Sequence, residues 1–140
     1  MVTRRRPSRE AMERYAADAE LAARFPELFQ AAKDTEDALR QAQALRAPLP
    51  GQRTLGLAFD AALTAVMRAA YATERVEVGP LGYDDWIYRR KAKAKPKVKM
   101  WRAEAERLLT LREEHRLTGI PHLPPQPEQA PGGAMAAANA

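Results

Sequence analysis

The chain has 140 residues, of which 46% are hydrophobic and 6% aromatic, and its formal net charge is +5. It contains no cysteine, which excludes disulfides and thiolate metal sites and favours a reducing, cytoplasmic location. No apolar run approaches the ~18 residues of a membrane span, and no apolar stretch follows the basic N-terminus as in a secretory signal. We therefore expect one modest, Ala-rich domain with no membrane partner.

The N-terminal half of the chain shows a helical pattern. Residues 1–7 predict a disordered basic arm, and Ser8 is a candidate N-cap for a helix from about Arg9 to Arg24. Pro26 is suited to the start of a second helix, from about Glu27 to Leu45.

Periodicity also predicts which side chains face the core. In the first helix the apolar stripe includes Met12 and Tyr15. In the second helix the polar side, including Glu36, is expected to face water. Both assignments rest on residues that recur at steps of three and four.

The C-terminal half predicts three more helices and a tail. Residues 47–51 hold two prolines and a glycine and predict a break. Helices are expected over residues 54–77, 84–94 and 97–117, with Pro96 separating the last two. Residues 120–140 are rich in proline and alanine and predict a disordered tail.

These elements define the expected fold class. There is no internal repeat and no alternating strand pattern. We predict an all-α protein with four to five helices in a small bundle or open helical array. A disordered arm (1–7), one helical domain (8–119) and a disordered tail (120–140) complete the organisation.

The positive charge is concentrated in one stretch. Residues 10–88 hold thirteen acidic and eight basic residues, whereas residues 89–102, the basic segment, hold eight basic residues and no acidic one. Such segregation favours binding to a polyanion, with solvated surface lysines as the alternative. The candidate nucleic-acid-binding residues of this segment are Arg89, Arg90, Lys91, Lys93, Lys95, Lys97, Lys99 and Arg102.

The conformation of the basic segment remains open at this stage. Its lysines alternate with small or apolar residues. In an extended chain they would all lie on one side, whereas a helix would spread them around its circumference. A kink or loop at Pro96 is a third possibility.

Aromatic residues and a second basic cluster flank this segment. Trp86, Tyr88 and Trp101 are candidates to stack on unpaired bases, with a core position as the alternative. Arg4, Arg5 and Arg6 in the arm could contact further phosphates or serve only as a solubilising arm.

Signals for catalysis, cofactors and metals are absent. His115 and His122 lack ligand partners at a suitable spacing, and HExxH and P-loop patterns are missing. The pair Asp84-Asp85 favours a helix start over a magnesium site. We therefore predict a protein that is not an enzyme and that has no cofactor and no metal.

Two hypotheses about function follow from these patterns. The first is a non-catalytic nucleic-acid-binding subunit of a larger assembly, which holds the phosphate backbone of RNA or DNA through the basic segment. The second is a helical protein–protein adaptor or self-associating protein that binds an acidic partner. In composition alone, the chain resembles the helical small subunits of CRISPR effector complexes and phage small terminases, but no motif selects either family.

Overall fold

The computed structural model describes residues 5–119, and all of the regular structure in that range is helical. This confirms the predicted all-α class. Arm residues 1–4 and the predicted tail, residues 120–140, lie outside the described range. The described α-helices are α1 (Arg9–Ala23), α2 (Phe25–Ala44), α3 (Leu49–Val78), α4 (Trp86–Ala92) and α5 (Pro96–Thr118), with a 3₁₀ turn at Pro80–Tyr83.

Helix α3 is the central element, because it packs against α1, α2 and α5. Leu63 of α3 and Leu108 of α5 are fully buried between these helices. Phe25 of α2 meets Trp101 of α5 edge-on, with ring centroids 4.9 Å apart. Burying a side chain of this size contributes about 1.5–3 kcal/mol, so these contacts hold the helices together.

The apolar character of α3 is compatible with two kinds of helix. By length and composition this helix, Leu49–Val78, could also cross a membrane. The central helix of a soluble core has the same properties. In this protein its side chains Leu63, Val66 and Met67 belong to the main core cluster with residues of α2 and α5.

The predicted start of α3 was wrong by several residues. The break expected at residues 47–51 is shorter, because α3 begins at Leu49 instead of Thr54. Pro48 is its N-cap and Pro50 lies in its first turn, where the missing N–H groups have no helical partner to lose. Helix α2 begins at Phe25, within two residues of the predicted start at about Glu27, and only Arg24 separates it from α1.

The predicted exposure of two side chains, one in α1 and one in α2, was also wrong. Met12 is 45% exposed, and the one buried residue of α1 is its neighbour Ala11. Glu36 is fully buried instead of facing water. Its carboxylate lies 3.0 Å from Lys33 Nζ, so the buried charge has a partner on its own helix.

The chain reverses direction after α3 through a glycine-dependent connection. Gly79 ends α3 with a φ of 102°, a value that side chains rarely adopt. In the 3₁₀ turn that follows, a Cβ on Gly82 would lie 2.5 Å from Cγ1 of Val78. The connection therefore lies directly against the end of α3 and fixes the position of α4.

A small second cluster joins α4 to the main body. It consists of Val78, Ala92 and Val98 and is separate from the main core. The basic segment is therefore anchored by few apolar contacts, at one end of the helical domain.

Candidate nucleic-acid interface

The basic segment forms the end of α4, a short turn and the start of α5. Asp85 caps α4 by accepting hydrogen bonds from the N–H groups of Ile87 and Tyr88 at 3.0 and 3.1 Å. The turn closes when the N–H of Lys95 donates to the carbonyl of Ala92 at 2.9 Å. The segment is therefore kinked, and of the three conformations considered from the sequence this one is confirmed.

Proline explains the position of the kink. Pro96 is the first residue of α5 and has no N–H to donate. Lys95 before it adopts φ −66° and ψ 135°, the extended conformation that a following proline favours.

The kink distributes the cations over two faces. One is an open face, a shallow depression lined by Trp86, Ile87, Arg90, Lys91 and Ala94. Arg89, Lys93 and Arg102 point to the other side, where they line a cavity against the end of α3. Lys97 and Lys99 are exposed in the first turn of α5.

The tryptophans and the tyrosine of this region differ in exposure. Trp86 is 60% exposed and Tyr88 is 36% exposed. The ammonium of Lys95 lies 5.9 Å from the centroid of the Tyr88 ring, within cation–π range. Trp101 is only 9% exposed, so it is a core residue, and Trp86 is the side chain accessible for stacking.

Most of the basic segment has no acidic partner. Within residues 5–119, none of the seven cations from Arg89 to Lys99 forms an ion pair, and Arg102 alone pairs with acids, Glu74 and Glu106. The positive potential of this surface is therefore not neutralised locally.

The start of α5 increases this potential. Its first turn contains no acidic residue, and Lys95, its N-cap, makes no side-chain capping hydrogen bond. The positive end of the helix dipole thus lies among lysines. This placement is unfavourable for α5 and attracts an anion.

The structure brings the base of the arm to the start of α4. Arg5 Nη1 lies 3.1 Å from Asp85. The N–H and hydroxyl of Ser8 donate to Asp84 at 2.6 and 2.7 Å, and these hydrogen bonds hold the pKa of Asp84 below its usual value. The two acids therefore hold Arg5 and Ser8 against the start of α4. Arg6 is exposed, and Arg4 lies outside the described residues.

A partly buried ion pair that the sequence did not predict supports this corner of the molecule. Asp18 of α1 accepts hydrogen bonds from Arg75 of α3, at 2.7 and 3.1 Å, and from the hydroxyl of Tyr83. Burial raises the pKa of Asp18, but the bonds from Arg75 and Tyr83 outweigh it and the net shift is downward. Burial and the bond to Asp18 raise the pKa of Tyr83, which therefore keeps its proton. Arg75 and Tyr83 are 57 and 65 residues away from Asp18 in the sequence, so no local sequence pattern predicts the contact.

His115 is a core residue. It is 8% exposed, its Nε2 lies 2.8 Å from the carbonyl oxygen of Gly56, and its ring meets that of Phe59 edge-on. In the described part of the chain, no three His, Asp or Glu side chains are placed to hold a metal ion. His122 lies outside that part.

Comparisons with known proteins add no relatives. No family model, no curated protein and no solved structure matches this chain. The functional argument therefore depends on the geometry of the basic segment.

Proposed function

We propose that the protein is a non-catalytic nucleic-acid-binding subunit of a larger assembly, in which the basic segment holds the phosphate backbone without reading the sequence. The observation that carries the proposal is the set of seven cations from Arg89 to Lys99, which make no ion pair within residues 5–119. Two of them, Arg90 and Lys91, lie beside the exposed Trp86 on the open face.

Phosphate binding suits this arrangement for a simple electrostatic reason. Five of the seven cations are lysines, which act as mobile point charges and need no fixed geometry. Each phosphate that they neutralise releases condensed counterions, and this release favours binding. Such contacts position a nucleic acid but carry no sequence information.

Trp86 favours a single strand over a duplex. Its ring is 60% exposed and lies beside Arg90 and Lys91 on the open face. Single-strand binders combine a positively charged track with aromatic rings on which bases stack, at about 1–3 kcal/mol per base. The open face has both components within one helix.

The test is a titration of fluorescently labelled single strands of increasing length, followed by anisotropy. Affinity should rise with length until the strand covers the basic segment. The variant Lys95→Gln/Lys97→Gln/Lys99→Gln should bind roughly a hundredfold more weakly at low salt, because it loses three phosphate contacts.

The matched control carries the same change in net charge at another place. The variant Arg46→Gln/Arg53→Gln/Arg68→Gln alters exposed cations of the loop before α3 and of α3 itself. At about 0.1 M salt it should bind like the wild type within about twofold, since charges more than about 10 Å from the strand are screened. If the wild type binds neither RNA nor DNA at low salt, or if both variants lose affinity equally, the proposal is wrong.

A second candidate function has support from the apolar side chains of the same region. Ile87 is 51% exposed and Met100 is 41% exposed, and base stacking has no use for either. A helical adaptor would bury them against an acidic protein partner or a second copy. Purification with a stoichiometric protein, no nucleic acid in the absorbance spectrum and a gel-filtration mass above that of the monomer would favour this function.

A further inference from the structure

The other side of the basic segment encloses a cavity that the sequence did not predict. It has a volume of about 220 Å³ and lies between the end of α3, the 3₁₀ turn, α4 and α5. Sites for drug-sized ligands have volumes of about 300–1,000 Å³. The size of this cavity therefore suits a small group.

Cationic side chains from three helices converge on this cavity. Arg75 comes from α3, Arg89 from α4, Lys93 from the turn after α4, and Arg102 from α5, and Glu74 is the acid among the lining residues. The cations thus approach one volume from several directions, as in sites that surround a compact anion.

Two of these cations have acidic partners and two do not. Asp18 binds Arg75 through both oxygens, and Arg102 lies 3.1 Å from Glu106 and 3.8 Å from Glu74. Arg89 donates to a neutral carbonyl, that of Gly82, at 3.3 Å. Within residues 5–119, no carboxylate pairs with Arg89 or Lys93. Their remaining donors are available to a ligand.

Negative groups at the cavity offset only part of the positive charge of the four cations that line it. The C-terminal end of α3 contributes about half a negative charge. Glu74 contributes a full charge when ionised, but burial raises its pKa, against the opposing effect of Arg102 and Lys93. The unpaired donors of Arg89 and Lys93 still face the cavity without a carboxylate of their own.

We propose that this cavity binds one phosphate group, held by the guanidinium of Arg89 and the ammonium of Lys93, with Arg102 and Arg75 at its margin. Phosphate has the size, the charge and the acceptor oxygens that these donors require. The group comes either from a nucleic acid, in which case this inference rests on the proposed function, or from a small phosphorylated molecule.

Substitutions separate binding from a merely structural role. Arg89→Gln should weaken the binding of inorganic phosphate roughly tenfold or more, because it removes a charged hydrogen bond. Glu74→Gln should strengthen it roughly tenfold, because it removes a repelling carboxylate. If the cations serve only to neutralise Glu74, Glu74→Gln brings no gain in affinity, and that result overturns the proposal.

The measurement is a titration of the full chain with inorganic phosphate, followed by the backbone amide NMR signals of residues 79–93. We expect saturable shifts in the wild type, their loss in Arg89→Gln and Lys93→Gln, and their retention in Arg46→Gln, which removes the same charge from an exposed position before α3, outside the cavity. Thermal unfolding of each variant confirms that it is folded. Absence of saturable shifts in the wild type, or equal losses in Lys93→Gln and Arg46→Gln, overturns the proposal.

A second titration, with a single-stranded oligonucleotide, identifies the source of the phosphate. If the strand shifts the same amides and competes with inorganic phosphate, the cavity is part of the nucleic-acid interface. If the strand does not bind and phosphate still shifts these amides, the phosphate site stands and the proposed function fails.

Discussion

The two tryptophans of this chain lie in opposite environments. Trp101 is 9% exposed and packs edge-on against Phe25 in the core of α2, α3 and α5, whereas Trp86 is 60% exposed at the start of α4. Tryptophan is thus a packed core residue in α5 and a solvent-accessible residue at the start of α4.

The cations of the two regions differ in the same way. On the helical scaffold, arginines such as Arg75 and Arg116 make bidentate contacts with Asp18 and Asp60. From Arg89 to Lys99, no cation pairs with an acid of residues 5–119. Several arginines of the scaffold thus have acidic partners on neighbouring elements, whereas the cations from Arg89 to Lys99 have none within residues 5–119.

The largest expected effect tests the two tryptophans against each other. Trp101→Ala should reduce the free energy of unfolding by about 3–5 kcal/mol, because it leaves a cavity in the core. Trp86→Ala should change it by less than about 0.5 kcal/mol, as an exposed position. Urea denaturation measures both values. Similar losses in the two variants would contradict the division into core and interface.

A smaller effect is expected from the Asp18–Arg75–Tyr83 contact, which supports α3 and the 3₁₀ turn under the basic segment. Asp18→Asn should cost about 1–2 kcal/mol near neutral pH, at the lower end for charged hydrogen bonds because Arg75 is half-exposed.

The pH dependence of this contact has a definite sign. The folded pKa of Asp18 is below the ordinary value of 3.8. The contribution of Asp18 to the free energy of unfolding is therefore fully present above that pH. It is lost as the pH falls through the lower pKa of the folded state. The difference in unfolding free energy between wild type and Asp18→Asn should disappear at low pH. The control is Asp37→Asn, an exposed acid of α2, which should show no such difference.

The capping contact at Ser8 should contribute about 1 kcal/mol. Its Oγ accepts a hydrogen bond from the N–H of Ala11 at 3.0 Å and donates to Asp84. Ser8→Ala removes both bonds and should destabilise the protein by about 0.5–2 kcal/mol. Ser8→Thr, which keeps the hydroxyl, should retain most of the stability in thermal unfolding. An unchanged melting temperature in Ser8→Ala would show that neither bond matters.

The smallest expected effect has the opposite sign. Lys97 lies in the first turn of α5, at the positive end of its dipole. Lys97→Glu should stabilise the protein by about 0.3–1 kcal/mol and weaken nucleic-acid binding. A variant that is less stable than the wild type would show that this lysine has a structural role.

Most of the fold could be predicted from periodicity, capping and proline positions. Ser8 and Pro96 mark helix ends in the sequence, and the structure places them at helix ends. The start of α3 could not be placed, because Pro48, Leu49 and Pro50 fit either a loop or a first helical turn. Local sequence does not distinguish these two uses of proline.

The candidate site could be predicted in composition but not in shape. The absence of acids from residues 89–102 is visible in the sequence. The division of its cations between an open face and an inner cavity depends on the turn at Lys93–Lys95 and on the position of α3. Arg75 also lines the cavity, but it belongs to α3, whose sequence pattern predicts only which residues face the core. The sequence around Arg75 therefore does not indicate that it lines a cavity.

The most direct measurement of the central claim is the salt dependence of single-strand binding. For single strands, the logarithm of the binding constant falls with the logarithm of salt concentration by about 0.7 per neutralised phosphate. We expect a steep slope for the wild type and a slope shallower by about 2 for Lys95→Gln/Lys97→Gln/Lys99→Gln, which loses three contacts. Equal slopes for wild type and variant would contradict the claim that the unpaired cations of the basic segment bind phosphates.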